Sequence, residues 1–306
     1  MIPPFFLKFQ PPEIAMTTPY TTLIDVAQLK ALLASGQDCM VFDCSFDLTN
    51  SDAGPAMYQQ AHIPGAIFAH LDTALSAKGP RASTNAASGG RHPLPSREAF
   101  AAWLGSVGMC NDMQAVVYDR QGANYCGRLW WMLKWLGHEN VAVLDGGLQA
   151  WQAAGEPVQT GDAAARKPAT FVPGAEAARL VQAQTVLEQL GRPQQTLIDA
   201  RGAPRYRGET EPLDPVAGHI PGALNRPFTL NLGEDGRFKP AATLRAEFDA
   251  LLGGRNPDSV VHQCGSGVSA IPNLLAMELA GLGRTALFAG SWSEWCSDPS
   301  RPVAKG

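Results

Sequence analysis

Residues 260–282 read VVHQCGSGVSAIPNLLAMELAGL. The stretch begins with a short apolar run, which predicts a buried β-strand, and it ends with a longer run of helical periodicity. Between the two lie Cys264 and a loop of small residues. Alternation of strands and helices indicates a parallel sheet covered by helices, and ligands bind such sheets at the carboxyl ends of the strands. The stretch therefore predicts an α/β fold with a thiol at the ligand-binding edge.

The loop around Cys264 has the features of a site for an anion. The N-terminus of a helix carries unpaired N–H groups and the positive end of the helix dipole, and both favour the thiolate, which is the nucleophilic form. Gly265 and Gly267 let the backbone curl so that N–H groups face the sulfur, while Ser266 and Ser269 add hydroxyl donors. We therefore predict that Cys264 is a nucleophile. A buried structural cysteine is the alternative, and this is the interpretation kept for the other cysteines.

The sequence repeats itself over the length of a domain. HIPGA occurs at residues 62–66 and 219–223, and LDGGLQAW at 144–151 is echoed by FAGSWSEW at 288–295. A repeat of this length indicates duplicated domains rather than a solenoid. Apolar runs alternate with helical patterns in each half, so we expect two domains, each with a parallel sheet. His62 and His219 occur in both copies and are expected to be structural.

The repeat and the composition between its copies give the expected domain boundaries. We expect a disordered lead-in at residues 1–20, a first domain at 21–155, a linker at 156–175 and a second domain at 176–306. Prolines interrupt the lead-in and no small-residue cleavage site follows it, which argues against a signal peptide. Met16 stays open as an alternative start.

Composition argues against several classes of protein. The net charge is -4 and hydrophobic residues make up 45% of the chain, which favours a globular protein over a nucleic-acid-binding one. No apolar stretch approaches the roughly 18 residues that span a membrane. The cysteines form no C-x-x-C pair and show no zinc spacing. We therefore expect no metal, no nucleic-acid or membrane partner, and a reducing compartment, with the cytoplasm as the default.

The motifs CGSGVSA, the twin HIPGA and GSWSEW resemble those of the two-domain rhodanese family of sulfurtransferases. The resemblance covers nearly the whole chain after about Thr21. It implies two tandem rhodanese-like domains, each a parallel sheet flanked by helices, and no cofactor. It also implies that Cys264 takes a sulfane sulfur from a small-molecule donor as a persulfide. The sulfur would then pass to cyanide, a protein or a thiol acceptor, such as thioredoxin or a small thiol.

The first copy has Asp119 in the place that Cys264 occupies in the second. A carboxylate cannot accept sulfur, so the first domain is expected to be catalytically silent. The resemblance assigns substrate binding to Arg205 and to the loop residues Gly265, Gly267, Val268 and Ser269.

Two features of the sequence bear on the identity of the donor. The neutral loop CGSGV resembles the 3-mercaptopyruvate branch of the family, whereas the thiosulfate branch typically carries cations after the cysteine. Arg205 matches the arginine that binds the donor carboxylate, with a solvated loop arginine as the alternative. Where a second arginine is common, this chain has Leu213, and Arg207 could compensate. Arg201 is expected to form a structural ion pair. We favour 3-mercaptopyruvate and keep thiosulfate as the alternative.

Asp72, His92 and Ser266 match a proton-shuttling set in mercaptopyruvate enzymes of the family. A histidine oriented by a carboxylate would make the serine hydroxyl a better proton shuttle to the pyruvate enolate. The alternative is that His92 only packs within its loop, and the adjacent Arg91 could instead meet anions. Two tryptophans near the C-terminus, Trp292 and Trp295, either line the pocket or pack in the core.

Other functions fit the loop less well. Cysteine phosphatases of the same superfamily have an arginine after five intervening residues, where this chain has Ala270, so phosphoryl transfer would lack its electrostatic clamp. A non-catalytic sulfur carrier or binding module would need only a docking cysteine. The nearest rival is thiosulfate:cyanide sulfurtransferase, which has the same fold and the same nucleophile.

Overall fold

Two parallel five-stranded sheets form the framework of the protein. The computed structural model describes residues 19–78 and 86–306. The first sheet contains β1 (Leu23–Ile24), β2 (Cys39–Asp43), β3 (Ile67–Phe68), β4 (Gln114–Tyr118) and β5 (Val141–Leu144). The second contains β6 (Arg179–Leu180), β7 (Thr196–Asp199), β8 (Leu224–Asn225), β9 (Val260–Gln263) and β10 (Ala286–Leu287). Their orders, β1-β5-β4-β2-β3 and β6-β10-β9-β7-β8, follow one scheme. The predicted α/β fold with two tandem copies is confirmed.

Helices follow the strands in both halves. Those of the first half are α1 (Val26–Ala34), α2 (Ala53–Gln60), α3 (Arg97–Ser106), α4 (Cys126–Trp135) and α5 (Gly147–Ala153). Those of the second are α6 (Ala183–Glu188), α7 (Ala203–Arg207), α8 (Ala241–Leu252), α9 (Ile271–Leu279) and α10 (Ser291–Trp295). Short 3-10 turns lie at Phe228–Asn231 and Pro257–Ser259. None of the helices in the described ranges is long and apolar enough to cross a membrane. The greater part of the expected lead-in, residues 1–18, lies outside the described residues.

The central strands β4 and β9 are buried at every position. A parallel strand covered by helices on both faces needs apolar residues without alternation, which explains the continuous apolar runs in the sequence. The repeated histidines have equivalent contacts in the two copies. His62 stacks on Tyr58 and His219 on Tyr206, each with ring centroids 3.9 Å apart. Identical contacts in both domains agree with the expected structural role.

The two domains are joined by a common hydrophobic core. Helix α4 of the first domain is buried at every position and packs against α9 of the second. One cluster of buried side chains contains residues of both helices, among them Trp131 and Leu275. Lys134, 1% exposed on α4, lies 3.0 Å from Glu278 of α9. Because a large apolar interface fixes the relative position of two domains, side chains of the first can contribute to a site on the second.

Each domain extends a short arm to the edge of the other domain's sheet at which the parallel strands end. In the first arm, Gly90-Arg91-His92, the Arg91 N–H donates to Ser293 Oγ at 2.9 Å. In the second arm, Gly236-Arg237-Phe238, the Phe238 N–H donates to Asp145 Oδ1 at 2.9 Å. Leu232, near the second arm, packs so closely on Gly122 that a Cβ there would lie 2.4 Å from its Cδ1. The similarity of the arms is a further repeat, which was not among the expectations from sequence.

Leu275→Ala tests whether the core is common to both domains. Leu275 is 0% exposed, and truncating a buried leucine to alanine costs about 2–5 kcal/mol. We expect the free energy of unfolding in urea to fall by that amount and the transition to stay single. As a control, Leu33→Ala on α1, where the side chain is 43% exposed, should change it by less than about 0.5 kcal/mol. Unfolding of the second domain ahead of the first in Leu275→Ala would contradict a common core.

Candidate active site

Cys264 stands directly after β9, and α9 begins at Ile271, so residues 264–270 form the loop that connects them. The cysteine is only 2% exposed, but it forms part of the wall of a cleft of about 140 Å³. Leu48 and Arg91 line this cleft from the first domain, and Arg205, Phe228 and the loop line it from the second. The nucleophile predicted from sequence therefore borders a cavity between the domains. A small molecule that occupies the cleft would therefore lie beside Cys264.

The backbone of the loop after Cys264 has N–H groups that no described residue accepts from, although its first carbonyls are bonded. The carbonyls of Cys264 and Gly265 accept hydrogen bonds from the N–H groups of Trp292 at 3.0 Å and Ser293 at 2.9 Å. Among the described residues, none accepts a hydrogen bond from the backbone N–H groups at positions 265–270. Gly267 has a φ of +73°, and a Cβ there would lie 2.1 Å from the Ala289 carbonyl oxygen. Only glycine fits at this point of the curled loop.

The first domain shows what such a loop can hold. Asp119 follows β4 as Cys264 follows β9, and its side chain is 1% exposed. Its two carboxylate oxygens accept hydrogen bonds at 2.8–3.1 Å from the backbone N–H groups of Gln121, Ala123, Tyr125 and Cys126. This loop is therefore a site for an anion, built from backbone amides. In the first domain the protein fills the site with its own carboxylate, whereas in the second a thiol takes that place.

Ser266, His92 and Asp72, predicted from the resemblance, lie in one chain of contacts. Ser266 Oγ lies 2.7 Å from His92 Nδ1, and His92 Nε2 lies 3.4 Å from Asp72 Oδ1. Burial lowers the pKa of His92 to about 4, so the ring is neutral at neutral pH. The contact with His92 and the ion pair with Lys78, at 2.7 Å, hold the pKa of Asp72 below its usual range. A neutral ring that donates to the carboxylate through Nε2 has Nδ1 free to accept the serine proton.

Two guanidinium groups approach the cysteine over Gly265. A Cβ on Gly265 would lie 3.1 Å from Arg91 Nη2 and 3.5 Å from Arg205 Nη1. Asp214 joins the two arginines, at 2.5 Å from Arg91 Nη1 and 3.2 Å from Arg205 Nη2. Glu211 Oε1 lies 2.7 Å from Arg205 Nη2. These two cations come from different domains, and two carboxylates balance their charge, while Arg201, which also lines the cleft, has Asp199 as its partner.

The other two arginines of this segment are paired with neighbouring carboxylates, and only Arg201 also lines the cleft. Arg201 is buried and bonds to Asp199 at 2.7 Å, the structural ion pair expected from sequence. Arg207 pairs with Glu209 at 2.6 Å with its side chain 43% exposed, and it is not part of the cleft wall. Leu213 is 41% exposed. The cation that accompanies Arg205 is thus Arg91, which follows Gly90 on the first arm and directly precedes His92.

The structure does not bring all candidate residues to the cleft. Gly265, Ser266 and Ser269 line it together with Arg205, but Gly267 and Val268 lie behind the wall. Val268 is 3% exposed and belongs to the common core. Trp292 and Trp295 are 0% exposed in the core of the second domain, so core packing is the correct alternative for both.

Gly267→Ala tests the backbone geometry of the loop. Alanine at this position would combine an unfavourable positive φ with a contact of 2.1 Å to the Ala289 oxygen. Gly281→Ala is the matched control, since Gly281 has a φ of +69° with nothing within 4 Å. We expect the control to lose about 1–2 kcal/mol of unfolding free energy and Gly267→Ala clearly more. The rate of Cys264 alkylation by iodoacetamide should change only in Gly267→Ala. Equal losses in the two variants would mean that the loop tolerates a side chain there.

Comparison with known proteins agrees with the duplicated architecture. A family model described as a rhodanese-like domain matches residues 25–154 and 182–298. A probable 3-mercaptopyruvate sulfurtransferase of Pseudomonas aeruginosa is 48% identical over 285 residues, which are 93% of this chain and 98% of that protein. A putative thiosulfate sulfurtransferase of Mycobacterium tuberculosis is 39% identical over 288 residues, which are 93% of this chain and 97% of that protein.

Solved structures are similar over nearly the same range. A 3-mercaptopyruvate sulfurtransferase from Leishmania major has a TM-score of 0.75 and 31% sequence identity, covering 90% of this chain and 74% of that chain. SseA from Escherichia coli, described among the 3-mercaptopyruvate sulfotransferases, has a TM-score of 0.74 and 30% identity, covering 90% of this chain and 100% of that chain. Since one family match falls on each sheet and these relatives share the whole architecture, the chain belongs to the rhodanese family.

Proposed function

We propose that this protein is a sulfurtransferase that moves a sulfane sulfur from 3-mercaptopyruvate to a thiol, cyanide or a protein through a persulfide on Cys264. The observation that carries the proposal is the position of Cys264. It lies in the wall of an interdomain cleft, in a loop whose N–H groups have no protein acceptor within the described residues. The names of the relatives, which refer to 3-mercaptopyruvate or thiosulfate, support the reaction class.

The first half of the reaction transfers sulfur to the enzyme. The Cys264 thiolate attacks the sulfur of the donor, a new S–S bond forms, and the C–S bond breaks with its electron pair left on the pyruvate enolate. The proton of the donor thiol ends on the enolate carbon, so the products are pyruvate and an enzyme-bound persulfide anion. Ser266, bonded to the neutral His92, is in a position to pass this proton, and Asp72 orients the ring. The N–H groups of the loop then face the terminal sulfur of the persulfide.

The second half returns the enzyme to its starting state. An acceptor thiolate attacks the outer sulfur, the S–S bond of the persulfide breaks, and Cys264 leaves as a thiolate. With cyanide the product is thiocyanate. The narrow cleft favours small acceptors or an extended thiol-bearing segment of a protein, such as the reactive site of thioredoxin. A reducing compartment, with the cytoplasm as the default, suits six cysteines that are all unpaired.

The charges of the cleft favour a monoanionic donor. Arg205 and Arg91 offer the planar donors that grip a carboxylate, while Glu211 and Asp214 already balance the charge of both. 3-Mercaptopyruvate brings one negative charge to this neutral set, whereas thiosulfate brings two. The neutral Gly265 next to the nucleophile favours the same donor. Thiosulfate remains the alternative, as in the name of the Mycobacterium tuberculosis relative.

Cys264→Ser should abolish formation of the persulfide, because a hydroxyl cannot hold sulfane sulfur. The gain of one sulfur atom on incubation with 3-mercaptopyruvate can be followed by intact-protein mass spectrometry. Cys110→Ser, which replaces a partly exposed cysteine of the first domain, is the control and should still take up sulfur. A protein that takes up sulfur from neither 3-mercaptopyruvate nor thiosulfate before any substitution would instead be a binding module.

Arg205→Ala and Arg91→Ala should each raise the KM for 3-mercaptopyruvate by about ten- to a hundredfold, because each removes a charge-assisted hydrogen bond to the donor carboxylate. The exposed Arg207 gives the matched control, and Arg207→Ala should leave KM within about twofold. Comparing kcat/KM for 3-mercaptopyruvate and thiosulfate in the unaltered protein tests the donor itself. A clear preference for thiosulfate would overturn this assignment, and an unchanged KM in both arginine variants would move the carboxylate site elsewhere.

A further inference from the structure

Arg128 of the first domain is a buried cation whose described partners are all carbonyl oxygens. It lies in the first turn of α4 and is 0% exposed. Its guanidinium donates to the carbonyl oxygens of Leu75 at 3.2 and 3.3 Å, His92 at 2.9 Å and Gly267 at 3.1 Å. These three oxygens belong to the segment after Asp72, to the first arm and to the Cys264 loop. Within the described part of the chain, no carboxylate forms an ion pair with it.

Such an arrangement needs a physical explanation. Moving a charge from water into the protein interior has a large desolvation cost. Hydrogen bonds to carbonyl groups offset only part of this cost when no opposite charge is nearby. Burial lowers the pKa of Arg128 to about 10, and the charge of Cys264 acts in the opposite direction. Arg128 is therefore still charged at neutral pH. Its guanidinium lies against the Cys264 loop through the Gly267 carbonyl, at 3.1 Å, so its positive charge is near any anion that the loop holds.

Other buried cations of this chain are paired differently. Lys134, two turns further along α4, is 1% exposed and has Glu139 and Glu278 beside it at 3.4 and 3.0 Å. Arg201 is equally buried and has Asp199. The alignment that matches Asp119 with Cys264 matches Arg128 with the neutral Asn273, which is 0% exposed and also donates to a backbone carbonyl, at 3.0 Å. The fold therefore accepts an uncharged residue at this position of the helix. The positive charge occurs in the copy whose helix contacts the Cys264 loop.

The contact with Gly267 also orients the loop. In a trans peptide the C=O and the following N–H point in opposite directions. Arg128 holds the Gly267 carbonyl on the side of the first domain, so the N–H of Val268 is directed the other way. In the first copy the matching N–H is that of Ala123, which donates to the Asp119 carboxylate at 3.1 Å. By bonding the Gly267 carbonyl, Arg128 thus fixes the direction of the Val268 N–H, one of the groups that the loop offers to an anion.

We propose that Arg128 is a positioning residue of the sulfur-transfer site, which holds the Gly267 and His92 carbonyls and supplies a buried positive charge that balances the anionic sulfur of Cys264. The inference rests on the proposed function, since it assumes that Cys264 reacts as an anion. By this proposal the first domain, which has no cysteine at the equivalent position, takes part in the reaction. Its helix α4 contributes the charge of Arg128, and its arm contributes His92.

Other ionisable groups near Cys264 are the same in every variant of the test. Three further cations stand around the cleft, but each has a carboxylate partner: Arg201 with Asp199, Arg91 with Asp214, and Arg205 with Glu211. His92 contacts the loop through Ser266, with Asp72 and Lys78 behind it. The charge of Arg128 also contributes to the lowered pKa of His92, but burial is the larger cause and keeps this ring neutral at neutral and higher pH. A displacement of the alkylation profile above neutral pH in the Arg128 variants therefore reports on the Cys264 thiol.

The test measures the second-order rate of Cys264 alkylation by iodoacetamide against pH, with no sulfur donor present. We expect Arg128→Gln, which keeps hydrogen-bond donors but removes the charge, to react about tenfold more slowly at neutral pH and to recover about one pH unit higher. Arg128→Lys, which keeps the charge, should retain the profile of the unaltered protein. Lys134→Gln, on the same helix and equally buried, is the control and should also retain it. A profile for Arg128→Gln that coincides with the unaltered protein, or an equal displacement in Lys134→Gln, would overturn the proposal.

Steady-state kinetics with 3-mercaptopyruvate provide the second measurement. Arg128→Gln should lower kcat about tenfold and leave KM within about twofold, because Arg128 does not line the cleft. If Arg128→Gln is too unstable to purify, Arg128→Lys decides: a pH profile displaced by one unit or more despite the retained charge contradicts the proposal. The alkylation measurement needs no donor. If Arg128→Gln slows alkylation as expected but the unaltered protein transfers no sulfur, the proposed function is wrong and the electrostatic role of Arg128 is still supported.

Discussion

Backbone N–H groups that turn toward one side chain at the end of a β-strand are the feature on which the rest of this protein depends. In the first domain they close on the Asp119 carboxylate with hydrogen bonds of 2.8–3.1 Å. In the second domain, the loop after Cys264 has no such protein acceptor among the described residues. Amide dipoles fixed in advance stabilise charge without reorganising when it appears. The loop of the first domain is therefore closed by its own carboxylate, whereas in the second domain the N–H groups at positions 265–270 are not used by the described residues.

The cleft is complete only when both domains are present. Asp214 joins Arg91 of the first domain to Arg205 of the second, at 2.5 and 3.2 Å, and the packing of α4 on α9 keeps the two sides in register. A donor carboxylate that enters the cleft must share these guanidinium groups with Asp214. Burial raises the pKa of the Asp214 carboxyl, while the two arginines lower it. In the proposed function, the charge of the donor would therefore act on the carboxylate that joins the two domains across the cleft.

The sequence predicts Cys264 and its loop well, because strand, small residues and helix follow one another within one short stretch. Asp72 and His92 required the family resemblance, since no local pattern joins residues of one domain to Ser266 of the other. Arg128 could not be predicted, because its role depends on how α4 packs against α9, and within an apolar helix a single arginine suggests only an exposed position. Arg91 was expected only as an alternative residue that meets anions, and its position beside Arg205 in the cleft was not predicted. The shared glycine and arginine of the two arms were a signal, but short repeats stand out only once the contacts of both copies are known.

The two arms have the symmetry of segments exchanged between the subunits of a dimer, although here one chain contains both. Phe238 on the second arm stands where His92 stands on the first, and Leu232 closes over Gly122 beside the Asp119 loop. Duplication followed by covalent fusion therefore gave this protein two pockets of common origin with separate fates. The pocket of the first domain has become a packed joint, and the other has stayed open to small molecules. A copy with an aspartate in place of the cysteine can therefore still affect its neighbour's site through the arm and the helix that it contributes.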